Sequence, residues 1–309
     1  MCGHGKKSVM AEDQQTGTAA VDQQTGTAAV ASGRAWLARM PRQVAAQRDL
    51  LRYLVDAAEA EPAFRCVELG GSLARDAGDE LSDIDAGLGI ADSDWPAAVA
   101  LVEQAITRAG PITDSFRQPF AGKNGASGWH LFTLYESGLQ LSLVVLPSSW
   151  RPGLPPLSVA LYDADGQLAR PWTPDTAQAS QDSAREWACL GWLALGDLAK
   201  YLDRGSAWEA RARLEEARGE IWKLWAVAIC ATYPGFGLTS VLDTRGGTVP
   251  DGIDATTASL EPAALLDAAL AAASLLDQVT GQAQRSVPFD APDGPQAWAR
   301  ARLASVRPA

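Results

Sequence analysis

Two short segments, close together in the chain, restrict the folds that this sequence can adopt. The first is an apolar run, Phe64–Leu69, which ends in Gly70-Gly71-Ser72. The second, separated from Ser72 by ten residues, reads Asp83-Ile84-Asp85, at the start of another apolar run. Short apolar runs bounded by glycine indicate buried strands. Because side chains alternate along a strand, the two aspartates are predicted to share one face while the isoleucine enters the core.

The residue types in these segments predict a site for a metal-bound phosphate. Asp83 and Asp85 are the candidate catalytic residues and metal ligands, because paired carboxylates hold one divalent ion, or two about 3.5–4 Å apart. Oxygen ligands of this kind suit Mg²⁺. Gly71 lets the backbone approach a triphosphate, and Ser72 offers a hydroxyl at a predicted helix start, which favours phosphate. Arg75, one turn further on, adds a positive charge, so these last three residues are predicted to bind the nucleotide.

Each half of this pattern is ordinary by itself. A Gly-Gly-Ser sequence is a common turn, and Asp-x-Asp often ends a strand in solvent. Their combination at this spacing, on a strand, a turn and a second strand, favours a functional site over a purely structural one.

The pattern Gly-Ser-x(10)-Asp-x-Asp resembles the motif of the DNA polymerase beta-like nucleotidyltransferase superfamily. The sequences Gly-Ser-Leu-Ala-Arg (71–75) and Leu-Ser-Asp-Ile-Asp (81–85) resemble its antibiotic-modifying branch, the aminoglycoside and lincosamide adenylyltransferases. The resemblance covers roughly residues 45–150, and over 181–285 it is architectural only. It implies an α+β fold, in which a nucleotidyltransferase domain with a mixed sheet and helices precedes a C-terminal α-helical bundle.

The same resemblance implies an activity. Such enzymes transfer a nucleoside monophosphate, here AMP from ATP, to a hydroxyl group of a small acceptor such as an aminoglycoside, which confers antibiotic resistance. Mg²⁺ would be the cofactor and ATP or another nucleoside triphosphate the co-substrate. Transfer to a protein or to a tRNA end is an alternative within the superfamily, and the acidity of the chain counts against the tRNA version.

One position departs from the family. A third carboxylate usually stands on a later strand, in a pattern h-D-h-h-h-P, and Ser142 occupies that position within residues 139–147. Serine is a poor metal ligand and a weak base. The base could instead be Glu136, Asp182 or Glu186; two carboxylates could suffice, since positioning and metal charge dominate phosphoryl transfer. A third alternative is a regulatory protein that binds nucleotide without transferring it.

Three regions follow one another along the chain. Residues 1–32 carry a nonapeptide, 13–21, that is repeated at 22–30; this small, polar segment is predicted to be a disordered tail. Residues 33–180 form the predicted nucleotidyltransferase domain, and residues 181–309 the α-helical domain, where helical periodicity replaces strand signals. Helices are predicted at 41–60, 94–109, 183–202, 207–231, 261–279 and 295–306, and strands at 64–69, within 81–90, and at 129–135, 139–146 and 157–162.

Composition bears on partners and location. The formal net charge of −11 disfavours a long nucleic acid and favours cations, so the predicted acceptor is small and cationic. No run of 18 apolar residues occurs, which predicts no membrane span. The start of the chain lacks the apolar segment of a secretory signal, and the cysteines are scattered singly, so a cytoplasmic location is expected.

Histidines are scarce, and this limits the chemistry. Only His4 and His130 occur, too few for a zinc cluster. His130, near the start of a predicted strand, either contacts substrate or is a hydrogen-bonded strand residue. The segment 233–243, rich in glycine and aromatic residues, either lines the acceptor pocket or caps a helix. The oligomeric state stays open.

Overall fold

The structure, a computed structural model, describes residues 26–121, 127–151, 153–172, 177–244 and 246–307. These residues form two compact units, one up to residue 172 and one from residue 177 onward. Helix α1, Gly26–Arg39, starts inside the predicted tail, where alanine-rich sequence favours helix. The rest of that tail, residues 1–25, lies outside the described residues, and the predicted limits at 33–180 and 181–309 stay predictions.

The first unit contains a six-stranded mixed sheet in the order β3-β4-β5-β2-β1-β6. Only the β2–β5 pair is parallel among the pairs of these described strands. The strands are β1 Phe64–Leu69, β2 Ile84–Ile90, β3 Ile112–Ala121, β4 Ser127–Tyr135, β5 Gln140–Pro147 and β6 Val159–Asp163. The helices are α2 Ala45–Ala60, the single turn α3 Gly71–Ala74, and α4 Ala98–Ala109.

The two faces of the sheet differ in character. Strand residues such as Val67, Leu88 and Leu143 pack with Leu54 of α2 and Val102 of α4 in one buried cluster. Alternation places the intervening residues on the opposite face, and the strand register brings polar side chains into neighbouring positions there. These polar residues are Glu68, Asp85, Ser142 and His130.

A buried ion pair lies on that polar face. The Arg151 Nη1 atom donates to Glu68 Oε1 at 2.5 Å, and Arg151 Nη2 donates to the Val144 carbonyl at 2.9 Å. The two side chains are 5% and 10% exposed. Gly87 lies beneath them, and a Cβ there would overlap both charged groups. The pair therefore links β1 to β5, and it passes over Gly87 of the intervening strand β2.

The predicted secondary structure is confirmed for β1, α2 and the β4–β5 hairpin, where Gly138 has a φ of +88°. The predicted edge strand at 157–162 is confirmed as β6, which ends the sheet but spans Val159–Asp163, two residues later than predicted at its start. Two predictions are wrong in part: Asp92–Ala97 forms a 3-10 helix around Pro96 before α4, and β2 begins at Ile84, so Asp83 immediately precedes it. Strand β3 is absent from the sequence prediction.

The second unit is helical. Its core lies between α5 Gln181–Asp203, α6 Ala207–Ala228 and α8 Pro262–Ser286, with α9 Asp293–Ser305 packed on α5. The segment 233–243 forms a short 3-10 turn and helix α7, Leu238–Asp243. A mixed α/β part followed by a helical part agrees with the predicted α+β class; the nucleotidyltransferase identity of the first part stays a prediction.

Helix α8 differs from the expectation that no segment is apolar enough to cross a membrane. By length and composition it is, because its alanines and leucines give a mean hydropathy of 1.3 over an 18-residue window. Half of that window is buried inside the protein, as in the core helix of a bundle.

Candidate active site

The turn after β1 and the start of β2 are in direct contact. The Gly70 N–H donates to the Asp85 carbonyl at 2.7 Å, which fixes the turn against β2. Gly71 has a φ of +65°, and a Cβ on it would overlap the Asp85 carboxylate. Both observations require glycine at position 71. The structure thus brings together the two segments from which the sequence predicts the site.

The sequence predicts that this turn binds a nucleotide, so we expect Gly71→Ala to weaken that binding by displacing the Asp85 carboxylate. The added Cβ would also cost about 1 kcal/mol because φ is positive. Calorimetric titration with Mg²⁺ and ATP measures the effect as a rise in the dissociation constant. Gly138→Ala is the matched control: its φ is also positive, but no atom lies within 4 Å of its added Cβ. Equal binding by both variants would contradict a role for close packing at Gly71.

Ser72 and Arg75 flank this contact. The Ser72 hydroxyl donates to Ser82 Oγ at 3.2 Å, and Ser82 Oγ accepts from the Asp79 N–H at 2.9 Å. The loop before Asp83 is therefore tied to α3. Because α3 is a single turn, the expected helix start at Ser72 supplies few aligned N–H groups, and its dipole is small. Burial raises the pKa of the nearby Asp85, and the charge of Arg75 opposes that rise.

The two aspartates occupy different environments. Asp83 is exposed and Asp85 is half-buried. Burial raises the pKa of Asp85, and the negative charge of Asp83 raises it further, while a hydrogen bond from Ser142 and the charges of His130 and Arg75 oppose the rise. Two carboxylates that repel each other in a partly desolvated position favour a bound cation.

A cavity of about 630 Å³ opens beside these carboxylates. Its lining consists of Asp83, Asp85, Asp114, Phe116, Phe132, Thr133, Leu134, Gln140, Leu141 and Ser142. The rings of Phe116 and Phe132 stack with centroids 4.7 Å apart and form an aromatic wall. Strand β3, which carries Asp114, is three strand spacings from β2, roughly 14 Å in total. The cavity therefore has a paired-carboxylate end and a separate single-carboxylate end.

Sequence reasoning missed Asp114 and Phe116 because it missed β3. The signal is weak: Phe116 and Phe120 follow the period of a strand, but Pro119 interrupts it and almost every residue of β3 is exposed. Both residues belong to the cavity only through the pairing of β3 with β4.

Ser142 occupies the position next to Asp85. The two residues are Cα partners across the parallel strands, and the Ser142 side chain opposes the rise that burial causes in the pKa of Asp85. The candidate base Glu136 is exposed in the β4–β5 turn, and it is not among the described residues that line the cavity. Asp182 and Glu186 are exposed on α5 in the second unit. All three stay predictions.

The carboxylates at this site suit a metal ion whose remaining ligands come from a bound substrate. Among the described residues, no group of three or more His, Cys, Asp or Glu is arranged to hold a metal ion. Mg²⁺ at nucleotide sites is commonly bound by one or two carboxylates together with phosphate oxygens and water. Asp83 and Asp85, beside a cavity large enough for a ligand, fit this kind of site.

Comparison with known proteins adds little to this geometry. No protein-family model matches the sequence, and no curated protein matches it. A crystal structure of an aminoglycoside 6-adenyltransferase from Bacillus subtilis is similar, with a TM-score of 0.41 and 13% sequence identity, over 82% of this chain and 96% of that one. A similarity of that degree says nothing about what this chain binds.

Proposed function

We propose that this protein is a Mg²⁺-dependent nucleotidyltransferase that moves a nucleoside monophosphate, AMP from ATP, to a hydroxyl of a small cationic acceptor. Asp83 and Asp85 would hold the metal, and Gly71, Ser72 and Arg75 would bind the triphosphate. The observation that carries the proposal is the close packing of Gly71 against Asp85 at one end of the cavity. It places a phosphate-compatible turn and a pair of carboxylates side by side.

The chemistry of the reaction matches what these residues can supply. Phosphoryl transfer depends mainly on positioning and on neutralising charge, and a bound divalent ion supplies the positive charge. The exposed backbone of a glycine turn can approach phosphate oxygens closely because no Cβ intervenes. The acceptor oxygen forms a bond to the α-phosphorus as the bond to the bridging oxygen breaks, and pyrophosphate leaves.

The far end of the cavity supports a cationic acceptor. Asp114 is exposed there, beside the aromatic wall of Phe116 and Phe132. A carboxylate and a ring face both attract an ammonium group. Antibiotic modification is the biological role that the sequence resemblance implies for such an acceptor, and a cytoplasmic location is consistent with it.

Asp114→Asn is expected to raise the KM for a cationic acceptor about fivefold and to leave kcat unchanged, because an exposed charge contributes about 1 kcal/mol to binding. Steady-state kinetics at two salt concentrations measures this, since salt should reduce the difference between variant and wild type. An unchanged KM at low salt would show that Asp114 does not contact the charged part of the acceptor.

Two measurements test the function itself. Titration with ATP and Mg²⁺ measures binding, and a pyrophosphate-release assay over a panel of aminoglycosides, lincosamides and other hydroxyl compounds measures transfer. Binding with release supports the proposal. Ser142, standing beside Asp85 where the resemblance leads one to expect a carboxylate, supports a second candidate, a nucleotide-binding regulatory protein. Binding without release over the whole panel would favour that candidate.

A further inference from the structure

Three side chains on neighbouring strands, His130, Ser142 and Asp85, lie next to one another on the polar face of the sheet. His130 Nε2 on β4 is 2.8 Å from Ser142 Oγ on β5, and Ser142 is the cross-strand Cα partner of Asp85 on β2. Ser142 and Asp85 line the cavity, whereas His130 reaches it through Ser142. Ser142, which stands where the resemblance leads one to expect a carboxylate, therefore contacts His130, the one histidine among the described residues.

We propose that His130 is a positioning residue that accepts, through the Ser142 hydroxyl, the proton of the acceptor hydroxyl. The pair would take the place of the missing third carboxylate, and this inference rests on the proposed nucleotidyl transfer.

The proton transfers balance as follows. The acceptor hydroxyl passes its proton to Ser142 Oγ while the proton of Ser142 passes to His130 Nε2, so that Ser142 ends as it began. The acceptor oxygen attacks the α-phosphorus, pyrophosphate leaves, and the imidazolium returns its proton to solvent. For this, the Ser142 hydroxyl must donate to His130 Nε2, across the 2.8 Å that separates the two atoms.

The surroundings of His130 suit a neutral proton acceptor. Burial lowers the pKa of His130, and the Asp85 charge acts in the opposite direction. Its cross-strand partners, Gln118 on β3 and Val144 on β5, carry no charge. The Phe132 ring lies 3.9 Å from the imidazole, centroid to centroid, and restricts its movement. The imidazole is thus held toward Ser142 in a form that can take up a proton.

The tautomer of His130 provides a test that does not depend on turnover. Because His4 and His130 are the two histidines of the chain, His4→Gln leaves a single imidazole for ¹⁵N–¹H correlation spectroscopy. In the complex with Mg²⁺ and α,β-methylene ATP, we expect Nδ1 to carry the proton and Nε2 to accept from Ser142. A proton on Nε2 in that complex would overturn the inference.

Kinetics provides the second test. His130→Gln preserves a hydrogen bond to Ser142 but cannot accept a proton, so kcat should fall about 10²–10³-fold with an unchanged KM for ATP. Gln118→Ala, which alters the neighbouring position on β3, is the matched control and should retain full kcat. In a Ser142→Asp background, which supplies a carboxylate directly, His130→Gln should have little effect.

The outcomes separate the two proposals. If the wild type releases no pyrophosphate with any acceptor, the proposed function fails, and the role of His130 fails with it. If the wild type is active and His130→Gln retains its kcat, the function stands and the inference is wrong. An equal loss from His130→Gln in the Ser142→Asp background would also overturn it, because the loss would then be structural.

Discussion

Asp85→Asn is expected to reduce nucleotidyl transfer about 10³-fold or more while the protein remains folded. The amide cannot supply the negative charge that holds a divalent ion, and metal-ion stabilisation of the transition state is worth several kcal/mol. Pyrophosphate release measures the loss. Asp76→Asn is the matched control, because Asp76 is exposed and has a φ of +58°, which asparagine tolerates. Substantial turnover by the Asp85 variant would show that the metal site is assigned wrongly.

The same substitution should raise thermal stability in the absence of metal. The folded protein raises the pKa of Asp85, so the folded state favours the protonated carboxyl. The stabilising contribution of the proton is present below the unfolded pKa and is lost as the pH rises through the folded pKa. Asparagine does not ionise, so the melting temperature of the variant should exceed that of wild type at neutral pH and approach it in acid. A lower melting temperature at neutral pH would contradict this.

Arg151→Met is expected to lower the free energy of unfolding by about 3–5 kcal/mol, the usual result of removing one partner of a buried ion pair. Glu68 would remain buried without a counter-charge, above Gly87, where the strand leaves no room for rearrangement. Chemical denaturation measures the change. Arg65→Met is the matched control: Arg65 pairs with Asp165 at the surface, and its loss should cost less than about 1 kcal/mol.

Glu68 gives this prediction a pH dependence. Burial raises the pKa of Glu68, and Arg151 offsets part of the rise. Without Arg151 the carboxyl favours protonation in the folded state still more, so the variant should regain stability in acid and lose it as the pH rises. The double variant Glu68→Gln/Arg151→Met should be more stable at neutral pH than Arg151→Met alone. Additive losses would show that the two side chains do not act as a pair.

The sequence predicted those elements of the structure whose residues carry a recognisable local pattern. Strand β1 and the hairpin around Gly138 follow from apolar runs and a glycine turn. Strand alternation predicts that Asp83 and Asp85 share one face; both line the cavity, although Asp83 immediately precedes β2 instead of belonging to it. Strand β3 could not be predicted in this way, because an exposed edge strand carries little apolar pattern. Asp114, which lies on β3, was missed for the same reason.

The proximity of His130, Ser142 and Asp85 depends on non-local pairing. The register between β4, β5 and β2 decides which side chains meet, and no local pattern encodes that register. From sequence, His130 is either a substrate contact or a hydrogen-bonded strand residue, and Ser142 is only a departure from a motif. The two side chains come together beside Asp85 only when β4, β5 and β2 pair in their observed register.

The strands that carry the two ends of the cavity differ in stiffness. Asp85 belongs to a central strand with a neighbour on each side, whereas Asp114 and Phe116 belong to β3, which has β4 on one side and ends the sheet on the other. An outermost strand bends at lower energetic cost than an inner one, so the Asp114 end of the cavity can adjust its width while the Asp85 end keeps its geometry. Under the proposed function, substitutions within Ile112–Ala121 should change which sizes of acceptor are used without disturbing the use of nucleotide, which makes this strand the place where a new specificity would evolve.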